Sequence, residues 1–152
     1  MAPSSPKRRR ESSDAFFVDA NIFMYTAGRP HPLREPCRRA LETALEMRAR
    51  LVTDSEVLQE ILYRYFSIKR SMAARTVYRA AVDMCDEVLP IAEQHTARAL
   101  ELLLHYPHLS PRDALHIATM EDRGLRHILS TDSDFDNVKE VQRIDPADFR
   151  SR

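Results

Sequence analysis

The sequence predicts an α/β domain of three layers, helix, sheet and helix, built on a mainly parallel central sheet of four to five strands. Short apolar runs recur along the chain, segments of helical period separate them, and acids follow two of the runs directly. Such alternation implies βαβ units. Right-handed crossovers then lay the strands side by side and cover both faces with helices.

Taken in order, residues 1–14 (MAPSSPKRRRESSD) are polar, hold two prolines and offer nothing to pack, which predicts a disordered tail ahead of a domain spanning 15–150. The basic run 7–10 reads equally as a nuclear signal, an RNA-binding arm or a solubilising extension. The run Ala-Phe-Phe-Val at 15–18 suits a buried parallel strand, and Asp19 closes it. A short helix over 22–26 and a longer one over 36–48 follow. The run RLVT at 50–53 predicts the second strand. Thr53 and Glu56 then form a capping-box pattern for a helix over 55–68, whose Val57, Leu58, Ile61, Leu62, Tyr65 and Phe66 make one broad apolar stripe for burial. Helices over 72–84, 92–106 and 111–123 alternate with strands EVLP at 87–90, HILS at 127–130 and a weaker VQRI at 141–144. Gly124 stands where a helix stop needs left-handed backbone.

Composition narrows the classes. With 152 residues and 43% apolar content the chain fills one domain. No run is long and apolar enough to cross a bilayer, and no apolar signal peptide opens the sequence, so a soluble cytoplasmic protein is expected. Cys37 and Cys85 lack metal-ligand spacing and read as buried free thiols. Only two glycines, Gly28 and Gly124, are present, which excludes the phosphate-cradling loops of kinases and dehydrogenases. His105 and His108 flank Pro107 and mark a helix end and a loop. The 23 basic and 23 acidic residues cancel, so net charge does not advertise nucleic acid. Their distribution says more: Arg64, Lys69, Arg70, Arg75 and Arg79 occur without an intervening acid, either as a solvated helical face or as a stripe for RNA phosphates.

The acids carry the chemistry. Asp19 ends a strand where open α/β sheets present functional groups, and it is equally placed to cap a helix. In Ser110-Pro-Arg-Asp113 every residue has a local task, with Ser110 as cap, Pro111 at the first helical position and Asp113 as the capping-box acid. Glu56 is taken up by capping, but Glu60, one turn on, gains nothing from it and sits at the edge of the apolar stripe. Asp132, Asp134 and Asp136 crowd one turn after the HILS strand, an arrangement that needs a cation or solvent to offset it. Two strands and two helices thus deliver acids toward one edge. Hard divalent cations prefer such oxygen donors, and a cation there suits phosphodiester hydrolysis.

In Phe17-Val-Asp-Ala-Asn-Ile, Val57-Leu-Gln-Glu-Ile-Leu, Ser110-Pro-Arg-Asp-Ala-Leu-His-Ile-Ala and Ser130-Thr-Asp-Ser-Asp-Phe the chain resembles PIN-domain nucleases, particularly the VapC-type toxins of toxin–antitoxin modules. Each stretch is short, but their order and separation are specific. The resemblance implies a PIN-like fold and endonucleolytic cutting of RNA that depends on Mg2+ or Mn2+. It places Asp19, Glu60, Asp113 and Asp132 at four acidic positions, with Asp19 and Asp113 nearest the metal and Asp134 as an accessory acid. Asn21 would orient a carboxylate or substrate. His116 would contact the scissile region or simply pack. The resemblance further implies a homodimer and a cognate antitoxin, for which Tyr63, Tyr65, Phe66 and Ile68 offer an aromatic surface that competes with core packing. Three other readings stay open: a silent PIN-like module that binds RNA or protein, a phosphatase of the haloacid dehalogenase class, and a structure-specific DNA nuclease. The second departs from its pattern at Asn21, where a second Asp would act.

Overall fold

The computed structural model describes residues 15–150, and the expected tail at 1–14 lies outside them. The elements run β1 (Ala15–Val18), α1 (Ala20–Ala27), α2 (Arg34–Glu46), β2 (Arg50–Asp54), α3 (Ser55–Ser67), α4 (Ser71–Met84), β3 (Glu87–Leu89), α5 (Glu93–His105), α6 (Pro111–Asp122), β4 (His127–Leu129) and β5 (Gln142–Ile144). Two 3-10 turns, Ser133–Asn137 and Pro146–Asp148, complete the chain. The five strands pair in the order β3-β2-β1-β4-β5, every pairing parallel.

That order decides where a site can form. The chain builds the sheet outward from β1 through β2 to β3, then returns to the other side of β1 for β4 and β5. Connections leaving β1 and β4 therefore diverge, and the crevice between them opens at the strands' carboxyl ends. Register brings Val18 level with Leu129, and the Asp19 amide extends the ladder by donating 3.1 Å to the Leu129 carbonyl. Asp19 and Ser130 begin the two segments that border this crevice.

The strands are short and both faces of the sheet are covered. Phe17, Val18, Leu51, Val52, Ile128 and Leu129 are buried, as expected of apolar runs inside a parallel sheet. Helices pack in neighbouring pairs, α1 with α2, α3 with α4 and α5 with α6. Cys37 and Cys85 are buried and unlinked, as the sequence predicts. Among the described residues no helix is long and apolar enough to cross a membrane.

Two expectations for α3 need correction. Its cap is Asp54, not Thr53: the Asp54 carboxylate accepts from the Val57 amide at 2.9 Å. Thr53 is still in β2 and donates its hydroxyl to the Val18 carbonyl. The strand runs one residue further than the apolar pattern, which shifts the cap. The buried stripe is also narrower than predicted, holding Val57, Ile61 and Tyr65, while Leu62 and Phe66 are exposed at 40% and 59%. Leu58 is half-buried and packs against the core beside this edge, and the far flank of the apolar pattern faces solvent.

Gly124 has φ +65° after α6, the left-handed geometry expected of a helix stop, and a Cβ added there would meet nothing within 4 Å. Only backbone strain therefore penalises a side chain there. Gly124→Ala is expected to destabilise the fold by about 1 kcal/mol in chemical denaturation, through the cost of left-handed backbone for an L-residue.

Candidate active site

Asp19 is only 4% exposed and is held by three donors. Its Oδ1 accepts from the Ala20 amide at 2.8 Å, which caps α1. Its Oδ2 accepts from the Ser130 hydroxyl at 2.7 Å and the Asn21 amide at 3.1 Å. Asn21 also receives the Thr131 amide, and Ser130 receives the Asp132 amide at 3.0 Å, so one polar web ties the end of β1 to the end of β4. Asn21 thus orients a carboxylate, one of the two roles expected of it. Ser130 has the same task and carries no such signal in the sequence beyond standing at a strand end.

The other acids arrive from helix starts and from the turn. Asp113 completes its capping box, receiving the Ser110 amide while Ser110 receives the Asp113 amide at 3.1 Å. Burial raises its pKa; the Ser110 hydrogen bond works against that, and the charges of Asp19 and Asp132 add to it. Glu60 is also pushed up, first by burial and then by Asp19, while Arg112 pulls it down. Electrostatic coupling therefore runs from Glu60 to Asp19, from Asp19 to Asp113 and from Asp113 to Asp132. The structure brings the four predicted acids into one region.

Within that region the donors separate into two closer groups. One oxygen each of Asp19 and Glu60 and one nitrogen of His116 lie within 4.8 Å of one another, and oxygens of Asp113, Asp132 and Asp134 do the same. Asp134 is accordingly placed beside Asp132, and the Asp132 carboxylate caps the following turn by accepting its amide. The repulsion expected in this turn is offset from β5. Arg143 grips Asp136 through two hydrogen bonds, at 2.7 and 3.0 Å, and donates to the Ser130 carbonyl. Arg112 stands between Glu60 at 3.2 Å and Glu56 at 3.5 Å, so Glu56 serves an ion pair rather than the capping box predicted for it.

His116 is 1% exposed and packed in the core, with one ring nitrogen bonded and the other not. Its Nδ1 is 2.8 Å from Asp54 Oδ2, its ring lies against Phe17, and its Nε2 is 3.8 Å from Asp19 Oδ1. Nε2 is the buried side-chain polar atom left without a hydrogen-bond partner among the described residues. Burial pulls the imidazole pKa down, but the charge and hydrogen bond of Asp54, with the charges of Asp19 and Glu60, outweigh it and push it up to about 9. Asp54 is fully buried and also accepts from the Thr119 hydroxyl. Sequence reasoning missed Asp54 in this role, although it follows the RLVT run as Asp19 follows its own.

Beside Asn21 a cavity of about 670 Å³ is lined by Tyr25, His31, Arg64, Tyr65 and Arg70 among others. Of the five cations read either as a solvated helical face or as a stripe for RNA, Arg64 and Arg70 line it, whereas Lys69, Arg75 and Arg79 are exposed elsewhere along the end of α3 and on α4. His105 ends α5 and His108 lies in the following loop against the Asp134 carbonyl, as predicted.

The PIN domain family matches residues 16–141. The ribonuclease VapC13 of Mycobacterium tuberculosis is 45% identical over 127 residues, covering 84% of this chain and 97% of that protein. Among solved structures, the M. tuberculosis toxin VapC20, which cleaves the sarcin-ricin loop, superposes with TM-score 0.68 at 19% identity over 82% of this chain and 95% of its own. A toxin–antitoxin complex from Klebsiella pneumoniae gives TM-score 0.62 at 20% identity, over 86% and 96%. Both structural likenesses show the parallel-sheet PIN fold. The chain belongs to the PIN-domain family, and within it to the VapC ribonucleases. Membership removes the haloacid dehalogenase alternative.

Replacing Asp54 by Ala leaves the His116 ring, the Thr119 hydroxyl and the start of α3 without their acceptor. The expected loss is about 3–5 kcal/mol of folding stability by denaturant titration. Asp113→Asn should act the other way in metal-free protein. Because the folded-state pKa of Asp113 is raised, the native carboxyl binds its proton more readily than the unfolded one, and stability falls as pH rises through that interval. The variant escapes this loss, so its Tm should exceed the wild-type value at neutral pH and converge with it below the carboxylate range, which thermal denaturation across pH reads directly.

Proposed function

We propose that the protein is an endoribonuclease that hydrolyses RNA phosphodiesters with a divalent cation, Mg2+ or Mn2+, and that it is the toxin of a toxin–antitoxin pair. The observation that carries this reading is the gathering of Asp19, Glu60, Asp113 and Asp132 at the crevice between β1 and β4, with two raised carboxyl pKa values and an unpartnered imidazole nitrogen among them. Crowded anions around an unsatisfied donor atom fit a cation. The 45% identity to VapC13, whose name records a ribonuclease, supports the activity.

Asp19 and Asp113 would hold the cation most closely, and Glu60 and Asp132 through a side chain or a water. Bound there, the cation supplies an activated water and offsets charge on the phosphodiester. The chain's own residues do the rest. Ser130 and Asn21 lock one Asp19 oxygen by hydrogen bonds, and the Ser110 box fixes Asp113. Asp134 stands beside Asp132 as an accessory acid. Arg112, partly exposed over Glu60, presents a guanidinium to a phosphate at the rim. Arg64 and Arg70, with Tyr25 and Tyr65 in the adjoining cavity, suit a nucleotide flanking the cut, while Lys69, Arg75 and Arg79 extend a positive surface for the backbone.

The partners follow the same reading. Tyr63, Phe66, Ile68 and Met72 are exposed apolar side chains near the end of α3 and the start of α4, a surface suited to a homodimer or to the antitoxin. Toxin–antitoxin complexes among the structural neighbours support an antitoxin partner. The protein would work in the cytoplasm.

Incubating bulk RNA with wild type and Asp19→Asn, in Mn2+, Mg2+ or EDTA, tests the assignment. Wild type should cut with metal and stop in EDTA. The variant should lose more than about 100-fold, since even residues behind metal ligands cost roughly 10–100-fold. Equal fragment patterns from both proteins in Mn2+ would overturn the catalytic assignment. A wild type inert in every metal would leave a binding module.

A further inference from the structure

The unpartnered nitrogen of His116 points to a different metal centre from one made of carboxylates alone. We propose that His116 Nε2 is a direct ligand of the cation together with Asp19 and Glu60, and that this nitrogen makes the centre prefer Mn2+ to Mg2+. The inference rests on the metal-dependent reading above and deepens it.

The arrangement is that of an oriented metal-binding histidine. Asp54 accepts from Nδ1 at 2.8 Å, which keeps a proton on that nitrogen and directs the other ring nitrogen toward Asp19, where a bound cation would displace the second proton the ring carries in its absence. A carboxylate behind a ligating imidazole fixes both tautomer and ring orientation, and it makes the free nitrogen a better donor. Asp54 is itself held, fully buried, by the Val57 amide and the Thr119 hydroxyl. Phe17, with its ring centroid 5.2 Å from that of His116, closes one side of the ring. The imidazole has no room to turn its polar edge to solvent.

Burying such an atom without a partner costs free energy that a purely structural histidine would avoid. Nε2 has no hydrogen-bond partner in the protein, yet Asp19 Oδ1 stands 3.8 Å from it, and donor oxygens of Asp19 and Glu60 lie within 4.8 Å of a ring nitrogen of His116 and of each other. An octahedral ion with bonds of about 2.1 Å places neighbouring donors about 3 Å apart. The present 3.8 Å between Nε2 and Asp19 Oδ1 thus closes to that value with a shift of under about 1 Å. Asp19 keeps its capping and Ser130 hydrogen bonds throughout, because Oδ1 retains a second lone pair.

Donor chemistry then selects the ion. Mg2+ favours oxygen donors and gives up its waters reluctantly, whereas imidazole suits first-row transition ions better. A centre of two carboxylates and one imidazole therefore shifts preference toward Mn2+, the transition ion most tolerant of oxygen partners. Asp113, Asp132 and Asp134 form an all-oxygen group close by, so removal of His116 should leave oxygen-based binding largely in place.

Pulsed EPR on the full-length protein loaded with Mn2+ reads this directly, without RNA and without turnover. Wild type should show coupling to a directly bound imidazole nitrogen, and uniform 15N-histidine labelling should convert the 14N pattern to the 15N one. In His116→Gln the coupling should vanish. By calorimetry Mn2+ binding to that variant should weaken at least 10-fold, while Mg2+ binding should change less than 3-fold. Absence of nitrogen coupling in Mn2+-loaded wild type overturns the inference, as does a folded His116→Gln with unaltered Mn2+ affinity. Should His116→Gln fail to fold, the isotope experiment on wild type decides alone. A carboxylate-only Mn2+ spectrum beside normal RNA cleavage would reject the nitrogen ligand and spare the nuclease. Conversely, nitrogen coupling beside an RNA-cutting Asp19→Asn would reject the catalytic assignment and spare the ligand.

Discussion

Mutual repulsion among carboxylates at the carboxyl ends of β1 and β4 is the constraint around which the molecule is arranged. Asp19, Glu60, Asp113 and Asp132 come from the end of β1, the second turn of α3, the start of α6 and the turn after β4, and each is partly or wholly removed from water. Left alone, such a group would swell or protonate. It is kept together by neutral donors aimed at fixed oxygens, by Arg112 beside Glu60 and by the His116 imidazole beside Asp19. Arg143 performs the same service one turn away, where it neutralises Asp136 and anchors the Ser130 carbonyl. The remaining negative charge is what a cation in the crevice would offset on the proposed reading.

Many of the site's residues have a structural task as well, and the two tasks do not conflict. Asp19 caps α1, Asp113 completes the capping box of α6, and Asp132 caps the turn that follows β4. A cap uses one lone pair or one oxygen of a carboxylate, which leaves the others free. Helix starts are also where partial positive charge from unpaired amides stabilises an anion. Placing the acids there lets the backbone carry part of the electrostatic cost of assembling them. Asp54 shows the limit of this economy: its two oxygens are fully committed to α3, His116 and Thr119, so it supports the site from behind.

The outer surface has a different character. α3 buries a narrow edge and leaves Leu62, Tyr63 and Phe66 in solvent, beside Arg64 and ahead of the basic stretch on α4. Apolar and cationic side chains are thus interleaved on one region, which adjoins the cavity next to Asn21.

The sequence alone determined the alternation of strand and helix, a mainly parallel sheet of four to five strands, the helix stop at Gly124, and the acids that belong to the family pattern. These features are local: periodicity, turn chemistry and short motifs are written in neighbouring residues. Local pattern could not tell Thr53 from Asp54 as a cap, because that depends on how far β2 remains paired to β1 and β3. Nor could it separate the buried Tyr65 from the exposed Phe66, adjacent residues on one apolar helix. The contacts of Asp54, Ser130, Arg112 and Arg143, and the burial of His116 with one ring nitrogen bonded and the other unpartnered, arise between residues far apart in the chain. Only tertiary structure decides those, since a side chain's partner across a crevice is set by strand order and helix packing, neither of which leaves a mark in the adjacent sequence.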